Sequence, residues 1–95
     1  MSKRKNARRK AAPRVTSKTE IEMRWINAWS DLYEIIGIRG ALNCQLPDGS
    51  IVSVEDCKGW LQESAYNGYL LRVEFGQILG KPGVIASRWK AEGNG

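Results

Sequence analysis

The basic residues of this chain are segregated, and their segregation limits which part of it can fold. The first 14 residues, MSKRKNARRKAAPR, contain seven Lys or Arg side chains, no acidic side chain and no large apolar side chain after Met1. Such a segment cannot bury enough apolar surface to offset the entropy lost on ordering. We therefore expect residues 1–16 to form a disordered tail, residues 17–90 a single domain, and residues 91–95 a flexible end.

The charge of the whole chain hides a difference between its two parts. The net charge is +5, yet residues 1–18 hold eight basic and no acidic side chains. The remaining residues hold seven basic and ten acidic side chains, a net charge of −3. Attraction to a polyanion must therefore come mainly from the tail. The nucleic-acid-binding residues that we predict are Lys3, Arg4, Lys5, Arg8, Arg9, Lys10, Arg14 and Lys18.

The spacing within the tail is compatible with a helix that forms on binding. Arg4 and Arg8, and Lys5 and Arg9, are four residues apart, and alanines lie nearby. Short arginine-rich segments that fold on binding are a recurrent way to grip RNA. In form, the tail resembles the arginine-rich RNA-binding segments of phage antitermination peptides, and this resemblance implies RNA as its target. The residues themselves leave RNA, DNA, an acidic protein surface or simple solubilisation open.

Residues 17–40 predict an amphipathic helix. Ser17 and Glu20 form a capping-box pattern, and Gly37 and Gly40 mark the end of the helix. The apolar arc covers about half of the circumference, more than packing on one small sheet requires. We expect part of this arc to contact a partner protein or a second copy of the chain, through Trp25, Ile26, Trp29 and Tyr33. The alternative is that these four side chains belong to the core.

Two hairpins and a second helix are expected after the first helix. Alternating apolar residues on both sides of Pro47-Asp48-Gly49 predict the first hairpin. Ser53 is the expected N-cap of the second helix, which Asn67-Gly68 would end. Residues 69–79 and 84–89 predict the second hairpin, with a turn at residues 80–83 and a candidate bulge at Gly76.

These elements predict a small α+β domain with the order α-β-β-α-β-β and a four-stranded antiparallel sheet. The alternative is a small barrel of the SH3 or Sm type with an N-terminal helix. In that fold residues 53–67 would form strand and loop instead of a helix.

The composition argues against most kinds of catalytic site. The chain has no histidine, the commonest general base, and only two cysteines, too few for a structural zinc site. GQILGKPG lacks the spacing of a phosphate-binding loop and has Pro82 where Ser or Thr would contact magnesium. We expect no enzymatic activity, no cofactor and no metal. No apolar run suits a membrane span and no signal peptide is recognisable, so we expect a cytoplasmic protein without membrane contact.

Two functional hypotheses follow. The first is a non-enzymatic regulatory protein whose basic tail grips RNA or DNA while its folded body dimerises or contacts a partner. The second is a protein-binding adaptor or inhibitor, of the kind that phages and mobile elements encode, that acts through the Trp/Tyr-rich face of the first helix.

Overall fold

Two helices lie on one face of a four-stranded sheet in the computed structural model, which describes residues 17–90. The small α+β domain that the sequence predicts is confirmed, with its two helices and four strands in the expected order. The predictions for residues 1–16 and 91–95 lie outside the described residues. The elements are α1 (Lys18–Arg39), β1 (Asn43–Gln45), β2 (Ile51–Val52), α2 (Val54–Tyr66), β3 (Tyr69–Ile78) and β4 (Lys81–Lys90).

Both helices begin and end where local chemistry favours it. The Ser17 hydroxyl accepts a hydrogen bond from the backbone N–H of Glu20 at 3.0 Å. The Glu20 carboxylate accepts one from the backbone N–H of Ser17 at 3.3 Å, and the two bonds together form a capping box. Gly40 ends α1 with φ 73°, and its amide donates to the Ile36 carbonyl. The Ser53 hydroxyl caps α2 by accepting the Asp56 amide at 3.1 Å.

The sheet is mixed, so the prediction of an all-antiparallel sheet is wrong. Its strand order is β2-β1-β4-β3, and β1 runs parallel to β4 with Cys44 beside Val84. The other two pairs, β1 with β2 and β3 with β4, are antiparallel.

The position of β4 decides this arrangement. Because α2 reverses the chain between β2 and β3, β3 runs in the direction of β2 and β4 in that of β1. The sheet would be entirely antiparallel if β3 lay beside β1. Instead β4, whose Val84 and Ala86 are buried, takes the central place. The edge is left to β3, which carries exposed Arg72 and Glu74.

The β3–β4 hairpin turns earlier than predicted and has no bulge. Its turn is Leu79-Gly80, with φ 53° and 80°, and the pairing register is unbroken from Tyr69 with Lys90 to Ile78 with Lys81. Two positive φ angles are typical of a type I′ turn, the kind that matches the strand twist in two-residue hairpins. Gly76 pairs with Gly83, and its place in the sheet is explained by the Ile85 side chain, which a Cβ at residue 76 would overlap.

The barrel alternative is excluded because residues 54–66 form α2. The core lies between the helices and the central strands, and its largest fully buried apolar side chains are Leu32, Leu61 and Val84. Cys44 and Cys57 are free thiols in the same cluster, and both are fully buried. The neighbouring Cys44 thiol and burial raise the pKa of Cys57 above its ordinary value.

Candidate nucleic-acid interface

The charges of the described domain are divided between the β3–β4 hairpin and the residues that precede it. The β3–β4 hairpin contains four basic side chains and one acidic side chain, a net charge of +3: Arg72, Glu74, Lys81, Arg88 and Lys90. Residues 17–68, which include both helices, contain four basic and eight acidic side chains, a net charge of −4. The end of the sheet where β3 begins and β4 ends therefore presents a basic surface on a body without excess positive charge.

Cation–π contacts organise this basic end of the sheet. The Arg88 guanidinium lies 4.2 Å from the ring centroid of Tyr69 and 5.0 Å from that of Trp60. Its Nη1 donates to the Ser64 hydroxyl at 2.8 Å, which links β4 to α2. The Lys90 ammonium lies 4.7 Å from the Tyr69 ring centroid. Arg88 thus has a structural role, and the sheet end on which Trp89 sits is held firmly against α2.

The sheet face opposite the helices, called the open face here, carries an exposed aromatic side chain. Val73 and Val84 point to the helices, so alternation places Arg72 and Trp89 on the open face. Trp89 is 45% exposed and pairs with Leu70. An exposed indole beside a guanidinium is the combination that stacks on unpaired bases while the cation contacts phosphate.

A groove of about 220 Å³ connects Trp89 with the first half of α1. Arg24 lines this groove from the helix side, together with Asn27 and Asp31. Lys18, the one predicted tail residue within the described range, is exposed in the first turn of α1. Arg24 lies six positions after Lys18 in α1, which is a rise of about 9 Å along the helix axis. The tail therefore joins the domain close to the basic end of the sheet.

The other seven predicted nucleic-acid-binding residues lie outside the described residues, because they all precede Ser17: Lys3, Arg4, Lys5, Arg8, Arg9, Lys10 and Arg14. Arg24 was not among the predicted nucleic-acid-binding residues. No sequence signal places it in the same groove as Trp89, because the two residues are 65 positions apart and come together only through the packing of α1 beside β3.

The four predicted partner-binding residues of α1 divide into two pairs. Trp25 and Trp29 are half-buried, with ring centroids 4.7 Å apart, and the Trp29 indole donates to the Lys58 carbonyl at 3.1 Å. The Lys58 ammonium lies over the Trp29 ring, and hydrogen bonding with Tyr33 raises the pKa of Lys58. Trp29 therefore joins α1 to α2 and packs against the core.

Ile26 and Tyr33 lie on the exposed side of α1. They are 43% and 49% exposed, and Met23, at 46%, continues the same stripe one turn earlier. Spacings of three and seven residues place all three on one face of the helix. Ile26 and Tyr33 are thus the predicted contact residues that remain accessible, and with Met23, which was not predicted, they form what we call the outer stripe of α1.

Within residues 17–90, no group of three His, Cys, Asp or Glu side chains is arranged to hold a metal ion. Neither α1 nor α2 is long and apolar enough to cross a membrane.

Comparisons with known proteins leave the family of this chain open. No protein-family model matches it, and no match was found among curated proteins or solved structures.

Because Trp29 packs against the core and Tyr33 is exposed, their replacement by alanine should affect the stability of the domain differently. We expect Trp29→Ala to lower the free energy of unfolding by about 2–4 kcal/mol, because it removes a large packed side chain and a hydrogen bond. Tyr33→Ala, at an exposed position on the same helix, should change it by less than about 1 kcal/mol. Urea unfolding monitored by circular dichroism measures both. Equal losses would contradict the assignment of Trp29 to the core and Tyr33 to the surface.

Proposed function

We propose that this chain is a non-enzymatic regulatory protein that binds nucleic acid through its basic N-terminal tail. The observation that carries the proposal is the charge distribution: residues 1–18 hold eight of the 15 basic side chains and no acidic one. Arginine and lysine side chains at this density neutralise phosphates and release counterions, which supplies affinity without requiring a folded binding surface. Arginine additionally reaches base edges and stacks on unpaired bases.

The division of charge within the domain supports a particular orientation on the nucleic acid. A polyanion is attracted to the β3–β4 hairpin, with its net charge of +3, and repelled by residues 17–68, with their net charge of −4. Because the tail leaves α1 near Arg24 and Trp89, both contacts can form on one stretch of nucleic acid. The exposed Trp89 favours a stretch with unpaired bases, since stacking on an aromatic ring requires a free base face.

Replacing the four arginines of the tail by glutamine in the full chain should weaken binding and reduce its salt dependence: Arg4, Arg8, Arg9 and Arg14. Each lost phosphate contact lowers the log–log salt slope by about 0.7 to 0.9, so we expect a reduction of about three. Fluorescence anisotropy with labelled RNA and DNA hairpins over a salt series would measure it. The ratio of the affinities for the two hairpins identifies the target.

Arg39→Gln is a suitable control for this experiment. Arg39 lies in the last turn of α1, with its guanidinium over Phe75, at the end of the helix opposite to the tail. Its replacement should leave the salt slope unchanged. If the four tail replacements leave affinity and slope as in the wild type, the tail is not the binding element and the proposal fails.

The outer stripe of α1 supports the second candidate function, a protein-binding adaptor or inhibitor. Met23, Ile26 and Tyr33 form an exposed apolar row, and tyrosine is enriched among residues that dominate interface energies. In this case the tail assists by contact with an acidic region of the partner. The observation is weaker than the charge distribution, because single exposed apolar side chains are common on protein surfaces.

The adaptor hypothesis predicts that Ile26→Ala with Tyr33→Ala abolishes capture of a protein partner while the domain remains folded. Both side chains are exposed, so circular dichroism and the unfolding midpoint should change little. Leu42→Ala is a matched control, because Leu42 is 75% exposed and lies outside α1. A double variant that still captures every wild-type partner would contradict the hypothesis.

A further inference from the structure

The two edges of the sheet are very different. At one edge, β2 has only two residues, whereas at the other edge β3 has ten. No strand among residues 17–90 pairs with the outer side of β3. Natural proteins usually protect long edge strands with charged side chains, proline or a bulge. β3 has no proline, lysine or bulge, and its two charged side chains, Arg72 and Glu74, have opposite signs, so they do not repel a strand whose charges match them. A long edge of this kind is a template for pairing with a complementary strand.

The hairpin geometry identifies which backbone groups are available at this edge. Ile78 and Lys81 flank the two-residue turn, so they exchange both backbone hydrogen bonds, and hydrogen-bonded pairs then alternate along β3. Pro82, which has no N–H, fits this pattern because it faces Gln77 in a non-hydrogen-bonded pair. The outward groups form what we call the β3 edge: the backbone N–H and C=O of Tyr69, Leu71, Val73, Phe75 and Gln77.

We propose that the β3 edge pairs antiparallel with the β3 edge of a second copy of this chain, about a two-fold axis at Val73. Val73 then faces Val73 of the other copy, and Tyr69 faces Gln77. Because all outward residues have odd numbers, each of these pairs exchanges two backbone hydrogen bonds. The two four-stranded sheets join into one sheet of eight strands, which closes both exposed edges in a symmetric, isologous contact.

Charge complementarity selects this register. With Val73 opposite Val73, Arg72 of each copy lies opposite Glu74 of the other. These are non-hydrogen-bonded pairs, in which the side chains approach most closely. Arg72 and Glu74 already contact each other within one copy at 3.5 Å, so the dimer contains a cluster of four alternating charges on the open face.

The neighbouring registers place like charges together. Shifting Val73 to face Leu71 puts Arg72 opposite Arg72, and shifting it to face Phe75 puts Glu74 opposite Glu74. Like charges directly opposite each other destabilise an antiparallel pair. A pairing shifted by a single residue is excluded, because it would match outward with inward backbone groups. The β3 sequence is thus complementary to itself in one register.

The dimer would bring the α1 helices of the two copies close to each other. Adjacent strands are about 4.8 Å apart, and packed helices need about 8–10 Å between their axes. Because α1 packs mainly on β3 and also contacts β4, the proposed dimer requires the two α1 helices to pack against each other across the two-fold axis. The groove beside the edge contains Arg24, whose Nη1 is buried and finds no acceptor among residues 17–90. A second copy would bring carbonyl and carboxylate oxygens to this donor.

The proposal stands on the fold alone and does not require that the protein bind nucleic acid. If both proposals hold, the dimer presents two basic tails and doubles the number of phosphate contacts. The two would then bind one nucleic acid with a raised effective concentration.

The test uses charge reversal in the full chain, with oligomeric state measured by sedimentation equilibrium. Arg72→Glu places Glu opposite Glu74, and Glu74→Arg places Arg opposite Arg72, each twice per dimer. We expect either variant to raise the dimer dissociation constant by at least about tenfold. Both side chains are more than half exposed, so the fold should be retained. The double variant, Arg72→Glu with Glu74→Arg, restores complementary pairs and should recover the wild-type dimer.

Mixing the two single variants provides a sharper test. Each variant alone is expected to associate more weakly than the wild type, but Arg72→Glu presents two acidic side chains to the two basic side chains of Glu74→Arg. An equimolar mixture should therefore form a heterodimer at concentrations where neither variant associates alone. A dimer that forms through another surface, such as the outer stripe of α1, would not show this rescue and would overturn the proposal.

Amide hydrogen exchange gives an independent readout of the register. The amides of Leu71, Val73 and Phe75 should become protected as protein concentration rises, while those of Arg72 and Glu74 are protected at all concentrations by β4. A wild-type chain that is monomeric at millimolar concentration, with the three outward amides unprotected, would show the proposal to be wrong. Protection that appears only on adding an extended peptide would assign the β3 edge to a different occupant and would also overturn it.

Discussion

The parallel contact between β1 and β4 is the interaction on which the rest of this structure depends. The chain contains the order helix-strand-strand twice, and each hairpin alone is too small to be stable in water. Where Cys44 lies beside Val84, both fully buried, the two halves become one sheet with one core. Leu32 of α1 and Leu61 of α2 then bury their side chains in the same cluster.

This contact also determines which surfaces remain exposed. With β4 in the centre, β3 becomes an edge, and the open face presents Arg72 and Trp89. The helices cover the other face and carry most of the acidic side chains of the domain. The basic end of the sheet, the groove beside Arg24 and the β3 edge are therefore consequences of one strand order.

Much of the local structure could be predicted, because it depends on neighbouring residues. Ser17 and Ser53 begin helices through hydrogen bonds to amides three residues away, and Gly40 ends α1 with a positive φ. The site was predictable only in part. The sequence shows the basic tail directly. The helical periodicity of α1, however, does not tell which of Trp25, Trp29 and Tyr33 remains exposed. That depends on where α2 packs, and the contact between Trp29 and Lys58 decides it.

The sequence by itself determined the elements, their order and the separation of charge between the tail and the rest of the chain. These properties follow from short-range periodicity, capping and composition, which do not depend on distant residues. The tertiary structure alone decided that β4 lies beside β1, that the sheet is mixed and that Arg24 and Trp89 line one groove. Two antiparallel hairpins can join through either strand of the second hairpin without changing any local pattern. Which strand lies beside β1 depends on burial by residues far apart in the sequence. Val84 and Ala86 of β4 are buried at the centre of the sheet, whereas β3, with its exposed charged side chains, lies at the edge.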